Sequence, residues 1–149
     1  MTSVTVKAPG KINLALHVGP KDSAGYHDLL TVFQAVDVWE TLTAEDAPEF
    51  SLTVSGDVVL DQIPLDENNL VIQAARAVQR VTGHRGAAAF QVDKKVPVGG
   101  GMAGGSADAA AALIAVDALW GTNLSQVQLL ELASELGSDV PFILEGYTQ

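Results

Sequence analysis

Pro97-Val98-Gly99-Gly100-Gly101-Met102-Ala103-Gly104-Gly105-Ser106-Ala107 is the most constraining stretch of this chain, with five glycines within seven residues. A run of that composition cannot be a regular element. Glycine permits φ above zero and carries no Cβ, so consecutive amides can turn into one concavity, and a helix that follows adds the partial positive charge of its first turn. The pattern is an anion cradle suited to the phosphates of ATP. It is not Gly-x-x-x-x-Gly-Lys-Ser/Thr, because no lysine follows the glycines, and no acidic residue stands where a dinucleotide fold reads a ribose. The plainer reading is a flexible spacer before a helix, against which Met102 and Ala103 inside the run argue.

Working outward, Ala87 to Val92 reads as a short strand leading into the loop, and Ser106 to Trp120, alanine-rich and followed by Gly121, reads as the helix leaving it. Ser125 with Gln128 forms a capping box for a further helix ending near Gly137. Upstream, Asn69 precedes Leu70, Val71, Ala74, Ala75, Val78 and Val81 at helical spacing, and Gly83 stands where that helix stops. The first half differs in kind. Val4 to Val18 alternates around Pro9-Gly10 as two strands or one interrupted strand, Gly19 to His27 is a loop, and Thr31 to Glu45 and Phe50 to Ser55 predict antiparallel strands. The chain is predicted to be one α+β unit over residues 1–149, a mostly antiparallel sheet packed with helices.

The totals bound the function. A chain of 149 residues with 48% hydrophobic and 17% charged side chains buries a core of its own, and its apolar content predicts a face meant for a partner, another copy or a second domain. With no cysteine there is no disulfide framework or thiolate metal site, and His17, His27 and His84 are too scattered for metal spacing. A net charge of −10 argues against a nucleic-acid partner. The longest apolar run, Ala109 to Val116, is too short for a bilayer, and the start lacks a signal peptide's apolar stretch, so no membrane partner and a cytosolic location are expected. All eight Lys and Arg lie at or before Lys95. Any anion bound beyond that point must rest mainly on backbone N–H groups.

Pro9-Gly10-Lys11-Ile12-Asn13-Leu14, Gly25-Tyr26-His27, Pro97 to Ala112 and Gly137-Ser138-Asp139-Val140-Pro141, in that order, resemble the GHMP kinase superfamily. The resemblance implies the superfamily's amino-terminal domain (ribosomal protein S5 domain 2-like) and transfer of the γ-phosphoryl of ATP to a hydroxyl, with Mg²⁺ assisting. Gly25-Tyr26-His27 points to a cytidine-diphosphate-linked sugar alcohol as the small-molecule substrate. Lys11 and Asp139 would be catalytic, Asp139 accepting or orienting the hydroxyl proton and Lys11 stabilising charge near the γ-phosphate. Pro97 through Ala107 would hold the ATP phosphates, with Asn69, Leu70 and Lys94 bordering the adenosine. Asn13 and His27 would hydrogen-bond the substrate and Tyr26 would stack on its cytosine. Gly105 occupies the place where many members carry a metal-binding serine, the hydroxyl coming one residue later at Ser106, so no metal ligand is assigned.

Spacing alone leaves other roles open: Lys11 as a solvated strand lysine, Asp139 and Asn69 as helix caps, Lys94 as an edge-strand lysine, Tyr26 as a surface anchor. Superfamily members run to roughly twice this length, with a second α+β half closing the cleft. The expectation is therefore an amino-terminal half without its carboxy-terminal domain, of low or no activity alone, with an apolar face open to self-association. The competing readings are a nucleotide-binding module without catalysis and a kinase of the homoserine or mevalonate type.

Overall fold

The structure, a computed structural model, describes residues 2–146. Its frame is a long antiparallel hairpin of β1 (Ser3–Lys21) and β2 (His27–Ala47). Asp22 closes the turn: its carboxylate accepts the N–H groups of Ala24 at 2.9 Å and Tyr26 at 2.8 Å, while Gly25 takes a φ of 89°. The Gly19–His27 loop is thus shorter than expected, because an aspartate-capped turn lets pairing continue to Lys21↔His27. β1 is one strand whose register shifts between Pro9 and Lys11, where proline lacks a ladder N–H.

β3 (Ser51–Gly56) and β4 (Ala87–Lys94) complete a four-stranded sheet of order β1-β2-β4-β3. β2 and β4 are antiparallel, whereas β3 and β4 are parallel. This corrects the antiparallel expectation for the 50–55 segment. The helix α1 (Leu70–Thr82) carries the chain back before β4 enters between β2 and β3, and a crossover of that kind returns a strand parallel to the one it left.

α1 begins and ends as the sequence indicates. The Asn69 side chain accepts the N–H of Val71, and Gly83 is left-handed at φ 75°. α2 (Gly104–Trp120) starts two residues before Ser106, α3 (Gln126–Leu136) has the Ser125/Gln128 capping box, and α4 (Val140–Glu145) is a short turn after Asp139. α2 packs on β1 and β2 and on the other three helices. Its run Ala109–Leu113 is buried because small side chains let sheet and helices approach the axis from several sides. The sheet contributes Leu42, Ala44, Phe90 and Val92 to this core, and α1 contributes Val71, Ile72 and Val78. The far half of the hairpin leaves the core, exposing Leu14, Leu16, Val18, Leu29 and Leu30.

Candidate active site

The segment from Pro97 to Ala103 is a loop with alternate residues in the left-handed region, Gly99 at φ 71°, Gly101 at 74° and Ala103 at 60°. The glycines adopt it freely; Ala103 pays for it as the N-cap of α2. Ala103 brings no capping side chain, which leaves the first-turn N–H groups of α2 uncapped by their N-cap residue, the arrangement that suits an anion. The loop is held from below. Lys11 N–H donates to the Met102 carbonyl at 2.9 Å, and Gly10 is confined by Val96 and Met102, where a Cβ would stand 3.0 Å from Val96 Cγ2.

A cleft of about 550 Å³ opens in front of this loop. Lys11 and Asp139 line it, as do Gln62, Ile63, Pro64 and Asn68 together with Asn69 and Leu70. Lys11 is buried, not a solvated strand lysine. Its Nζ donates to Asn13 Oδ1 at 2.9 Å, stands 4.7 Å from the centroid of the Phe33 ring and lies 3.8 Å from Asp139 Oδ2. Asp139 occupies the N-cap position of α4 but makes no side-chain cap bond, so its carboxylate is left to face Lys11 and the cleft.

Of the ATP-loop residues singled out in the sequence, Pro97 through Gly101 and Ala103 through Ser106 line the cleft. Met102 and Ala107 do not: Met102 turns its carbonyl to Lys11, and Ala107 points into the core, fully buried. Asn69 is both cap and wall, since it accepts from Val71 N and donates to the Pro64 carbonyl at 2.7 Å. Asn13, Tyr26 and His27 lie outside this cleft. Asn13 donates to Thr31 Oγ1 at 2.7 Å while accepting from Lys11, which fixes its carboxamide as a support for that ammonium. Tyr26 is exposed near the hairpin turn, and His27 Nδ1 donates to the Gly19 carbonyl at 2.7 Å.

Lys94 departs most from the edge-strand alternative. It is 3% exposed and lies 2.8 Å from Glu40 Oε1 and 2.6 Å from Asp108 Oδ2. Glu40 and Asp108 escaped the sequence reading. The available signal was one carboxylate inside the alanine-rich helix and another inside a Val/Thr-rich strand, each too apolar a setting for an unpaired acid. Burial pushes the Asp108 carboxyl up to about 7 against the pull of Lys94, and the charge of Glu40 adds to the rise. Glu67 is held low by its hydrogen bond from Arg76, an exposed pair with no contact to Lys94 or Asp108 among those described.

Among the described residues no group of three or more His, Cys, Asp or Glu is placed to hold an ion, and both carboxylates of the cleft already face lysines. No helix among them is long and apolar enough to cross a membrane.

Around a concave glycine loop, a helix whose N-cap residue has no capping side chain and a lysine–carboxylate pair in the same cleft, residues 69–147 match the family model described as the GHMP kinases N terminal domain. The chain belongs to that family of kinases. The particular proteins it resembles are named 4-diphosphocytidyl-2-C-methyl-D-erythritol kinase. One, from Kineococcus radiotolerans, is 53% identical over 150 residues, covering 99% of this chain and 46% of the relative; another, from Leifsonia xyli subsp. xyli, is 48% identical over 149 residues, covering 99% and 49%. A crystal structure of 4-(cytidine 5'-diphospho)-2C-methyl-D-erythritol kinase superposes with a TM-score of 0.77 at 33% identity, over 97% of this chain and 50% of that one. A homoserine kinase from Cytophaga hutchinsonii shares the fold, with a TM-score of 0.69 at 21% identity over 90% of this chain and 40% of that one. The chain spans about half the length of the curated relatives it matches.

Proposed function

We propose that this chain is the nucleotide-binding half of an enzyme that transfers the γ-phosphoryl of ATP to the 2-hydroxyl of 4-(cytidine 5'-diphospho)-2-C-methyl-D-erythritol, in isoprenoid precursor synthesis by the non-mevalonate route. The observation that carries the reading is the Lys11–Asp139 pair, 3.8 Å apart at the edge of the cleft that the glycine loop also lines. Phosphoryl transfer asks little covalent chemistry of a protein and much positioning and electrostatics. In this reading the amides of Gly99–Ser106 bind the phosphates, Asp139 accepts or orients the substrate hydroxyl proton, and Lys11, fixed by Asn13 and Phe33, places positive charge where the transferred group's oxygens gather it. Mg²⁺ would arrive on the nucleotide's phosphates, supplying charge neutralisation there, rather than reside in the protein.

Tyr26 and His27 would contact the cytidine-bearing end of the substrate from the exposed hairpin. The proposal includes a cytosolic setting and a second half that seats on the apolar end of that hairpin and completes the substrate pocket. Without that half, the same surface would drive self-association, and turnover would be low or absent while nucleotide binding persists.

The test is ATP consumption with the cytidine-diphosphate substrate, using the 149-residue chain alone and mixed with the carboxy-terminal half of the Kineococcus relative, each with wild type and Asp139→Asn. Turnover that needs the added half and disappears with Asp139→Asn is expected. Turnover indifferent to Asp139, or none from any mixture in which the two halves associate, contradicts the proposal. A pure binding module is the second reading, favoured only by the coverage of half the relatives' length, and the same assay separates it.

A further inference from the structure

We propose that the buried cluster Glu40–Lys94–Asp108 is a clamp that holds both ends of the nucleotide loop, making Glu40 and Asp108 positioning residues for phosphate binding. The inference rests on the reading of that loop as the phosphate cradle. Glu40, on β2, is fully buried, and its carboxylate accepts the N–H groups of Lys95 at 3.0 Å and Val96 at 3.3 Å, the last two residues before the loop. Asp108 stands on α2 just beyond the loop. Lys94 Nζ bridges the two carboxylates, so a continuous set of polar contacts joins the loop's entry to its exit.

The loop also rests on the cluster directly. A Cβ on Gly104 would stand 3.1 Å from Glu40 Oε1 and 3.2 Å from Lys94 Nζ, so glycine at this position lets the start of α2 settle on the ion pair. As a source of stability the arrangement is poor. It buries two carboxylates against one ammonium and leaves Asp108 Oδ1 without a hydrogen-bond partner, where apolar side chains of like volume would serve as well or better. What it supplies is geometry: three charged groups with few alternative arrangements fix where the glycine amides can point. The charged groups facing Asp108 are Lys94 from β4 and Glu40 from β2, with Lys11 and Asp139 lining the same cleft.

The experiment measures amide hydrogen-exchange protection across Gly99–Gly105 and the Kd for ADP on the whole chain, for wild type, Asp108→Asn, Glu40→Gln and the remote surface control Glu135→Gln. With the fold retained by circular dichroism, Asp108→Asn and Glu40→Gln should lower loop protection and weaken ADP roughly 5- to 50-fold, the cost of leaving buried partners unpaired, while Glu135→Gln changes neither. A folded Asp108→Asn chain with wild-type loop protection and ADP affinity overturns the clamp. Should both cluster variants fail to fold, wild-type protection factors followed from pH 5.5 to 8.5 decide instead: a step confined to the loop supports the clamp and a flat profile overturns it. Loop loosening in Asp108→Asn, combined with no ADP binding even by wild type, would uphold the clamp and refute the nucleotide reading.

Discussion

Lys11 Nζ and Asp139 Oδ2 lie 3.8 Å apart, one from the first strand and the other from the N-cap position of the last described helix. The two come from nearly opposite ends of the described sequence, so their pairing depends on tertiary packing rather than on any local element. Neither residue is explained by stability alone. Asp139 forgoes its cap bond, and among the described residues the side-chain hydrogen bond of buried Lys11 is the one to Asn13.

Separating chemistry from binding follows from that geometry. In the assembled kinase, Asp139→Asn and Lys11→Met should each lower kcat by about 10²- to 10³-fold, the scale seen when a group acting on developing charge is removed. ADP affinity should change little for Asp139→Asn, because the loop amides hold the phosphates. Single-turnover kinetics beside calorimetric ADP titration checks this, and an ADP Kd that weakens as much as kcat falls would assign Asp139 to ground-state binding.

Two glycines of the loop should fail for different reasons. Gly104→Ala presses a Cβ onto Glu40, Lys94 and Val96, all within 3.2 Å, and should cost about 1–3 kcal/mol by overpacking. Gly101→Ala meets open space but must hold φ near 74°, at a cost of roughly 1–2 kcal/mol. Denaturant unfolding should show both losses, with ADP binding damaged more by Gly104→Ala because the start of α2 is displaced. Equal effects on binding would refute the distinction.

The raised Asp108 carboxyl has a definite signature in pH. Its value of about 7 in the folded chain exceeds the ordinary 3.8. Well below pH 4 the group is neutral in both states, and as pH rises toward 7 the unfolded chain gives up the proton first. The stability linked to Asp108 is thus complete at low pH and lost as pH passes through 7. Wild type should lose about 2–3 kcal/mol relative to Asp108→Asn between pH 5 and 8. A relative stability that increases over that interval would mean that Lys94 outweighs burial.

Tyr26 offers a specificity test. It is 75% exposed near the hairpin turn, away from core and cleft. Tyr26→Ala should leave thermal stability and ADP affinity unchanged while raising KM for the cytidine substrate in the assembled enzyme. An unchanged KM would make Tyr26 a surface residue of the hairpin and no more.

Local rules made much of this molecule legible. Asn69 and Gly83 bounded α1, Ser125 and Gln128 marked the start of α3, and the glycine run gave the loop and the helix after it, because each signal acts over three or four residues. The parallel pairing of β3 with β4 was not legible. Strand partnership there depends on a crossover through α1, which the composition of the 51–56 segment does not record. Glu40 and Asp108, and the cleft wall of Gln62, Ile63, Pro64 and Asn68, were missed for a like reason: a buried ion pair or a shared wall exists only once distant elements have converged. Hairpin pairing ran past the expected strand ends because Asp22 closed a tight turn within a stretch whose glycine and proline suggested a longer loop.

Binding of ADP to the isolated chain, followed by amide chemical shifts, tests the central claim most directly. The account predicts saturable shifts concentrated in Gly99–Ser106, with smaller ones at Asn69 and Leu70, and no change at the hairpin turn. An absence of saturable shifts at millimolar ADP, or shifts centred away from the glycine loop, would contradict it.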